Sequence, residues 1–355
     1  MPLLSVEQLR TEFRGRNHTV TAVDDVSFAV DAGETVALVG ESGCGKSVTA
    51  LSIMGLLPDK SAAIAGGSVT FDGVELTSLN KRRLRAIRGT GMAMVFQDPM
   101  TSLNPSLTVG RQLIETLRHN LGMSKAQART RAGELLALVG IPEPESRLDS
   151  YPHQFSGGMR QRVMIAIALA ANPRLILADE ITTALDVTIQ AQILEVLRGL
   201  ATEFGTAVVL ITHDLGIVAG MADRVNVMYA GQIVESASVD DLFADPRMPY
   251  TWGLLTSIPR LDQRRGEQLI PIEGTPPDLA APPAGCRFRA RCGYAREICE
   301  TTPPALAPAG RGPAGADAQM ARCWATQDVA GGGWLRDVSW REAEAHRVQP
   351  VGVAE

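Results

Sequence analysis

The segment Gly40-Glu41-Ser42-Gly43-Cys44-Gly45-Lys46-Ser47 constrains this chain more than any other. It fits the pattern G-x-x-x-x-G-K-[ST], follows the β-branched apolar run Thr35 to Val39, and precedes a helical pattern from Lys46 to Leu57 that stops at Pro58. A strand, a glycine-rich turn and a helix N-terminus in that order make a cradle for phosphate oxygens. The glycines let successive backbone N–H groups turn inward, Lys46 brings a point charge to the β- and γ-phosphates, and Ser47 offers a hydroxyl to Mg²⁺. Gly40, Glu41, Ser42, Gly43, Cys44, Gly45, Lys46 and Ser47 are therefore the expected phosphate-binding residues. Cys44 offers its backbone there, and its side chain reads as structural.

The rest of the first 240 residues agrees with such a fold. Leu175 to Ala178 is an apolar strand ending in Asp179-Glu180. Beside a phosphate loop, the first carboxylate suits Mg²⁺ and the second suits proton abstraction from water. Ala207 to Ile211 reads as another strand, with a helix from Ile189 to Phe204 between the two. Strands alternating with helices imply a largely parallel sheet covered on both faces. Residues from about 98 to 170 read as helices, an insertion between early and late strands. Within it, Leu107 to Asn120 has helical spacing, Ser124 looks like an N-cap for a helix ending near Gly140, and Ser156 opens a helix reaching about Ala171.

Composition excludes several classes. With 355 residues, 45% hydrophobic and 21% charged, the chain is an ordinary globular one. A net charge of -5 argues against a nucleic-acid binder. The basic run Lys81-Arg82-Arg83-Leu84-Arg85 then reads as a solvated helix face. The longest apolar run, Val163 to Ala171, has nine residues, and a span needs about 20. MPLLSVEQLR has neither the basic region nor the apolar core of a signal peptide. The expectation is a cytosolic protein that meets membranes through partners.

Further motifs complete the pattern. Gln97 ends the strand-like run Met92 to Phe96, and Phe155-Ser156-Gly157-Gly158-Met159 begins a helix with an anion-ready N-terminus. Ser156 lies 23 residues before Asp179, and His213 lies 34 after it at the end of a β-branched strand. With these in place the sequence resembles the ABC ATPases over residues 1 to about 240. Gly40 to Ser47 matches the Walker A loop, Gln97 the Q-loop, Ser156-Gly157-Gly158 the signature, and Asp179-Glu180 the Walker B pair. Ala184-Leu185-Asp186 matches the D-loop and His213 the switch histidine. The resemblance implies two nucleotide-binding domains that sandwich two ATP molecules head to tail. Ser156, Gly157 and Gly158 would reach the ATP of the partner subunit, and Asp186 would sit in the D-loop. Glu180 would be the general base, His213 would contact the γ-phosphate, and Ser47, Gln97 and Asp179 would serve Mg²⁺. Phe13, in the first strand, is the candidate for stacking on adenine. The signature reads FSGGM where LSGGQ is commonest, and Ile181 stands where proline is usual; neither change removes a group that touches phosphate.

The C-terminal part narrows the resemblance. Pro249-Tyr250-Thr251, Leu254-Leu255, Ile258-Pro259 and Glu273-Gly274-Thr275-Pro276-Pro277 look like the extension of peptide and nickel importer ATPases, as does Tyr151 to Val163. This implies an ABC-type nucleotide-binding domain over 1–245, a mixed-sheet core with a helical subdomain at about 98–170. A small loop-rich extension would occupy 246–325, followed by a weakly ordered tail over 326–355. Cys286, Cys292, Cys299 and Cys323 crowd into 38 residues with spacing C-x5-C-x6-C-x23-C. That spacing alone does not choose a metal. The resemblance implies a [4Fe-4S] cluster, with zinc or no metal as alternatives. It implies as partners a second ABC ATPase, often a distinct homologue, two transmembrane permeases and an external peptide-binding protein, at the cytoplasmic face of a prokaryotic membrane. Nickel or another small solute is an alternative cargo. A soluble ABC ATPase acting on nucleic acid or ribosomes is the rival from another class.

Overall fold

In the computed structural model the described residues are 1–15, 18–58, 60–182, 186–257, 271–309, 318–327 and 332–335. Among the described residues twelve strands form two sheets. They are β1 Leu4–Arg14, β2 Thr19–Val30, β3 Thr35–Val39, β4 Ala62–Phe71, β5 Val74–Glu75, β6 Met92–Val95, β7 Leu175–Asp179, β8 Ala207–Thr212, β9 Arg224–Tyr229, β10 Gln232–Ser238, β11 Ala307–Pro308 and β12 Met320–Ala321. The smaller sheet is antiparallel, in the order β2-β1-β4-β5, and the larger runs β11-β12-β10-β9-β3-β8-β7-β6. Strands β6, β7, β8, β3 and β9 are mutually parallel, whereas β10, β12 and β11 pair antiparallel at the far edge. Every residue of β7 and β8 is buried. That explains their unbroken apolar sequences, since a parallel sheet is covered on both faces.

Helices follow the expected spacing with short end corrections. Lys46–Met54 stops at Gly55, whose φ of 59° supplies the left-handed C-cap three residues before Pro58. Val109–Leu121 starts at the N-cap Thr108, Lys125–Leu138 at a capping box formed by Ser124 and Gln127, and Gly157–Leu169 at Ser156. The basic run lies on the helix Lys81–Ile87, which buries none of its residues.

Three packed groups hold the fold together. One joins the helices at 109–121, 125–138, 157–169 and 187–204 to one face of the large sheet through Leu113, Leu136, Ile165, Ile193, Ile176 and Val208. A second lies between the opposite face, the helix Lys46–Met54 and the small sheet, around Leu9, Val26, Ile53, Leu177 and Val209. The third lies between the C-terminal extension and the far edge of the large sheet. Tyr250, Trp252, Phe288 and Ala321 share a core with Val225, Val227 and Tyr229 of β9, and β12 extends the large sheet through Glu235↔Ala321 and Ser236↔Met320. A loop-rich segment with few apolar side chains cannot bury a core of its own, so it completes an existing one. Residues 258–270 and most of the expected tail lie outside the described residues.

Candidate functional site

The phosphate loop leaves the carboxyl end of β3, which lies between β9 and β8. Register then determines what surrounds it. Val39 lies opposite Thr212, Asp179 opposite Ile211 and Val95 opposite Ala178. The residues that follow β6, β7 and β8 therefore emerge on one rim, beside the loop that follows β3. Open α/β sheets place ligands at this rim.

Backbone geometry accounts for the glycines. Gly40, Gly43 and Gly45 have φ values of 154°, 78° and 108°. A Cβ on Gly40 would meet the Met228 carbonyl oxygen at 2.1 Å, and one on Gly45 the Ala22 oxygen at 2.5 Å. The loop is thus pressed against neighbouring backbone on one side. A Cβ on Gly43 would meet nothing within 4 Å, so that part of the loop faces open space. The Cys44 side chain is buried, and burial pushes its thiol up in pKa, which agrees with a packing role.

Lys46 is only 4% exposed and its Nζ donates to the Gly40 oxygen at 2.8 Å and the Glu41 oxygen at 3.0 Å. The Ser47 hydroxyl donates to Asp179 Oδ1 at 2.9 Å. Burial raises the Asp179 carboxyl above its ordinary range, opposed by the Ser47 hydrogen bond and helped by the nearby Glu180 charge. A hydroxyl and a carboxylate side by side are the hard oxygen donors that Mg²⁺ takes, so the residues fit the expected ion.

Glu180 is where the predicted groups converge. Its carboxylate lies 3.8 Å from Lys46 Nζ and 3.5 Å from His213 Nδ1, and it accepts from Gln97 Nε2 at 2.9 Å. Three groups separated by up to 167 positions meet on one side chain. The Glu180 backbone has φ 46°, and its N–H donates to the Ile211 oxygen at 2.9 Å. A non-glycine residue held in that region costs about 1–3 kcal/mol and persists only where the surroundings over-determine it. Gln97, expected near Mg²⁺, rests here on Glu180.

Ser156 caps the helix Gly157–Leu169, accepting from the Met159 N–H at 3.3 Å, and both Ser156 and Gly157 are exposed. Gly158 is required by packing, since a Cβ there would meet Ile189 Cγ2 at 2.6 Å. Asp186 caps the helix Val187–Phe204 through the Ile189 N–H at 2.9 Å; Ala184 and Leu185 of the expected D-loop lie outside the described residues. Phe13 sits half-buried on β1, paired with Val20 and Ala62.

The four clustered cysteines do come together. Cys286, Cys292, Cys299 and Cys323 line one small cavity of about 20 Å³ with Phe288, Tyr294, Trp324 and Trp334. Burial pushes the Cys286 thiol up to about 11 and raises that of Cys323 as well. However, no group of three or more His, Cys, Asp or Glu among the described residues is arranged to hold a metal ion. A cavity that size takes about one water molecule. The expected [4Fe-4S] cluster, and zinc as its alternative, are thus without support from the side-chain arrangement.

Two contributors to the site were missed by motif reading. The Tyr250 hydroxyl accepts from the Glu41 N–H at 2.9 Å, and Arg291 binds the Glu41 carboxylate through both its terminal nitrogens at 2.7 and 2.9 Å. Tyr250 stood in the sequence only as a marker of the extension. Arg291 carries no local signal at all, being one arginine in a loop 250 residues from its partner.

Comparison with known proteins agrees with this geometry. Residues 23–183 match the ABC transporter family, and residues 234–299 match the oligopeptide/dipeptide transporter C-terminal region. The chain is 54% identical to the oligopeptide transport ATP-binding protein OppD of Bacillus subtilis (strain 168), over 85% of each chain. It is 54% identical to the dipeptide transport ATP-binding protein DppD of the same organism, over 85% of this chain and 90% of the relative. Among solved structures, a dimeric ATP-binding cassette in a post-hydrolysis state, bound to ADP and Pi, matches with TM-score 0.60 and 31% identity, over 66% of this chain and 98% of that one. The phosphate loop, the convergence on Glu180 and these likenesses together make the chain a member of the ABC transporter ATP-binding proteins, in the oligopeptide/dipeptide branch.

Proposed function

We propose that this chain is the ATP-hydrolysing subunit that powers import of di- and oligopeptides through a membrane ABC transporter. The observation that carries the reading is the meeting of Lys46, Gln97 and His213 on Glu180, next to the Ser47–Asp179 pair. ATP with Mg²⁺, held by Ser47 and Asp179, would supply the phosphoryl group and offset its charge. Glu180 takes a proton from the attacking water. Gln97 and His213 hold its carboxylate in place, and Lys46 faces it at 3.8 Å. Ser156, Gly157 and Gly158 serve the ATP of a second ATPase subunit; the exposure of Ser156 and Gly157 supports this. Phe13 is the adenine-stacking residue, and Asp186 belongs to the contact between subunits. Residues 1–245 form the nucleotide-binding domain, 246–325 the extension, and 326–355 the tail.

No helix among the described residues is long and apolar enough to cross a membrane, so the membrane path belongs to partner permeases. A groove of about 480 Å³ lined by Met94, Phe96, Leu103, Met164 and Ile167, at the end of β6, supports docking of an apolar permease segment at the cytoplasmic face. Peptide as cargo rests on the relatives, and an external binding protein would select it. The test is an affinity pull-down of the chain from membranes in mild detergent. Two multi-span proteins and a second ATPase are the expected companions. Ribosomes or nucleic acid without membrane proteins would overturn the transport assignment while leaving the ATPase intact.

A cluster at the four thiols rests on the resemblance of this segment to importer ATPases, not on the arrangement of the side chains, which line a cavity but form no metal-binding group among the described residues. Protein purified without oxygen is expected to carry iron and absorb broadly near about 400 nm. Absence of both would leave the thiols as packing groups.

A further inference from the structure

We infer that Arg291, carried on the C-terminal extension, is a positioning residue for the nucleotide site: it neutralises Glu41 inside the phosphate loop, so that the loop meets a triphosphate without an opposing charge. The inference rests on the reading of this loop as ATP-binding. Glu41 is the second residue of a segment whose task is to hold a polyanion. An unpaired carboxylate there repels the ligand that the N–H groups and Lys46 attract.

The structure ties every polar group of Glu41. Its oxygen accepts from Lys46 at 3.0 Å, its N–H donates to Tyr250, and both carboxylate oxygens accept from Arg291. Two parallel bonds from one guanidinium give the fork geometry that only arginine supplies. The Arg291 side chain is 4% exposed, against 27% for Glu41, so the positive partner is the fixed one. Other contacts hold it in place. It donates to the Glu273 oxygen at 2.9 Å and the Ile272 oxygen at 3.1 Å, and it lies 5.7 Å from the Tyr229 ring centre and 5.9 Å from that of Phe288. Arg291 ends the short turn Arg289–Arg291, directly before Cys292. The fold of the cysteine segment thereby determines where the guanidinium sits. Arg287 and Arg322, each beside another of those cysteines, pair with Asp24 and Asp25 on β2. The extension thus grips the nucleotide domain by three arginines, one of which reaches the phosphate loop.

The experiment is calorimetric titration of the full chain with MgATP and with MgADP. Arg291→Gln exposes the Glu41 charge and is expected to weaken MgATP binding about tenfold, with a smaller factor for MgADP, which carries less charge. Glu41→Gln keeps the backbone that faces phosphate, leaves the Arg291 charge uncompensated and is expected to bind MgATP more tightly than the natural chain. The double variant is expected to return to the natural affinity. Equal losses in the two single variants would make the pair a mere strut and overturn the inference, as would unchanged binding in Arg291→Gln. If Arg291→Gln does not fold, Glu41→Gln decides alone: tighter MgATP binding supports the inference, and equal or weaker binding overturns it. A natural chain that binds neither nucleotide would instead overturn the reading of the loop.

Discussion

Glu180, the proposed base, is set by where its backbone is held. Its φ of 46° is strained for a side chain with a Cβ. That strain turns the carboxylate toward Gln97, His213 and Lys46 at the strand rim. Glu180→Gln keeps the shape and the contact with Gln97 but cannot accept a proton. It is expected to retain ATP binding and lower the turnover number by about 10²–10⁴, as read by phosphate release alongside nucleotide titration. Unchanged steady-state hydrolysis would remove Glu180 from the role of base. Gln97 illustrates what motif matching leaves open, since its position was legible but its hydrogen bond to Glu180 was not.

At the scale of elements, local chemistry decided most boundaries. Thr108, Ser124, Ser156, Asp186 and Asp214 each cap a helix with a side-chain oxygen, and such residues before an apolar period are readable in any sequence. Ser124 and Gln127 bond reciprocally, at 3.3 and 3.0 Å. Ser124→Ala is expected to destabilise the chain by about 1 kcal/mol, seen as a lower denaturant midpoint at unchanged slope. The helix packs through Ala128, Ala132, Leu135 and Leu136, far from the loop chemistry, so nucleotide affinity should stay as it is. The C-terminal strands were not legible in this way. β11 and β12 have two residues each and no period to read; they exist because the β10 edge offers partners.

For the whole molecule, Glu235 is the joint between cassette and extension. It is fully buried on β10, accepting from the N–H groups of Arg247 and Met248 and from the Gln319 amide. Burial pushes its carboxyl from 4.5 up to about 7, against those hydrogen bonds. Between these values the folded chain holds a proton that the unfolded chain has released. The associated stability is full below about pH 4.5 and is lost as pH rises through about 7, by about 3 kcal/mol in total. Glu235→Gln does not titrate. The stability of the natural chain relative to that variant is expected to fall across this window, as followed by thermal melts at successive pH values. A difference that is flat with pH would show that Glu235 stays ionised throughout. Docking of the extension matters for function because the same packed group carries Tyr250 and Phe288, one bonded to the phosphate loop and the other beside Arg291.

The sequence by itself determined the phosphate loop, the carboxylate pair, the alternation of the central strands and helices, and the residues gathered at the rim. These follow from short-range rules: side-chain period, capping, and glycines where φ turns positive. Only the tertiary structure decided that Phe288 and Ala321 share a core with β9, and that β11 and β12 extend the large sheet. It also decided that four thiols line one cavity, and that Arg291 and Tyr250 hold Glu41. The reason is physical. The contacts of Glu41 join positions more than two hundred residues apart, and their energy comes from burial and charge pairing that no local pattern records.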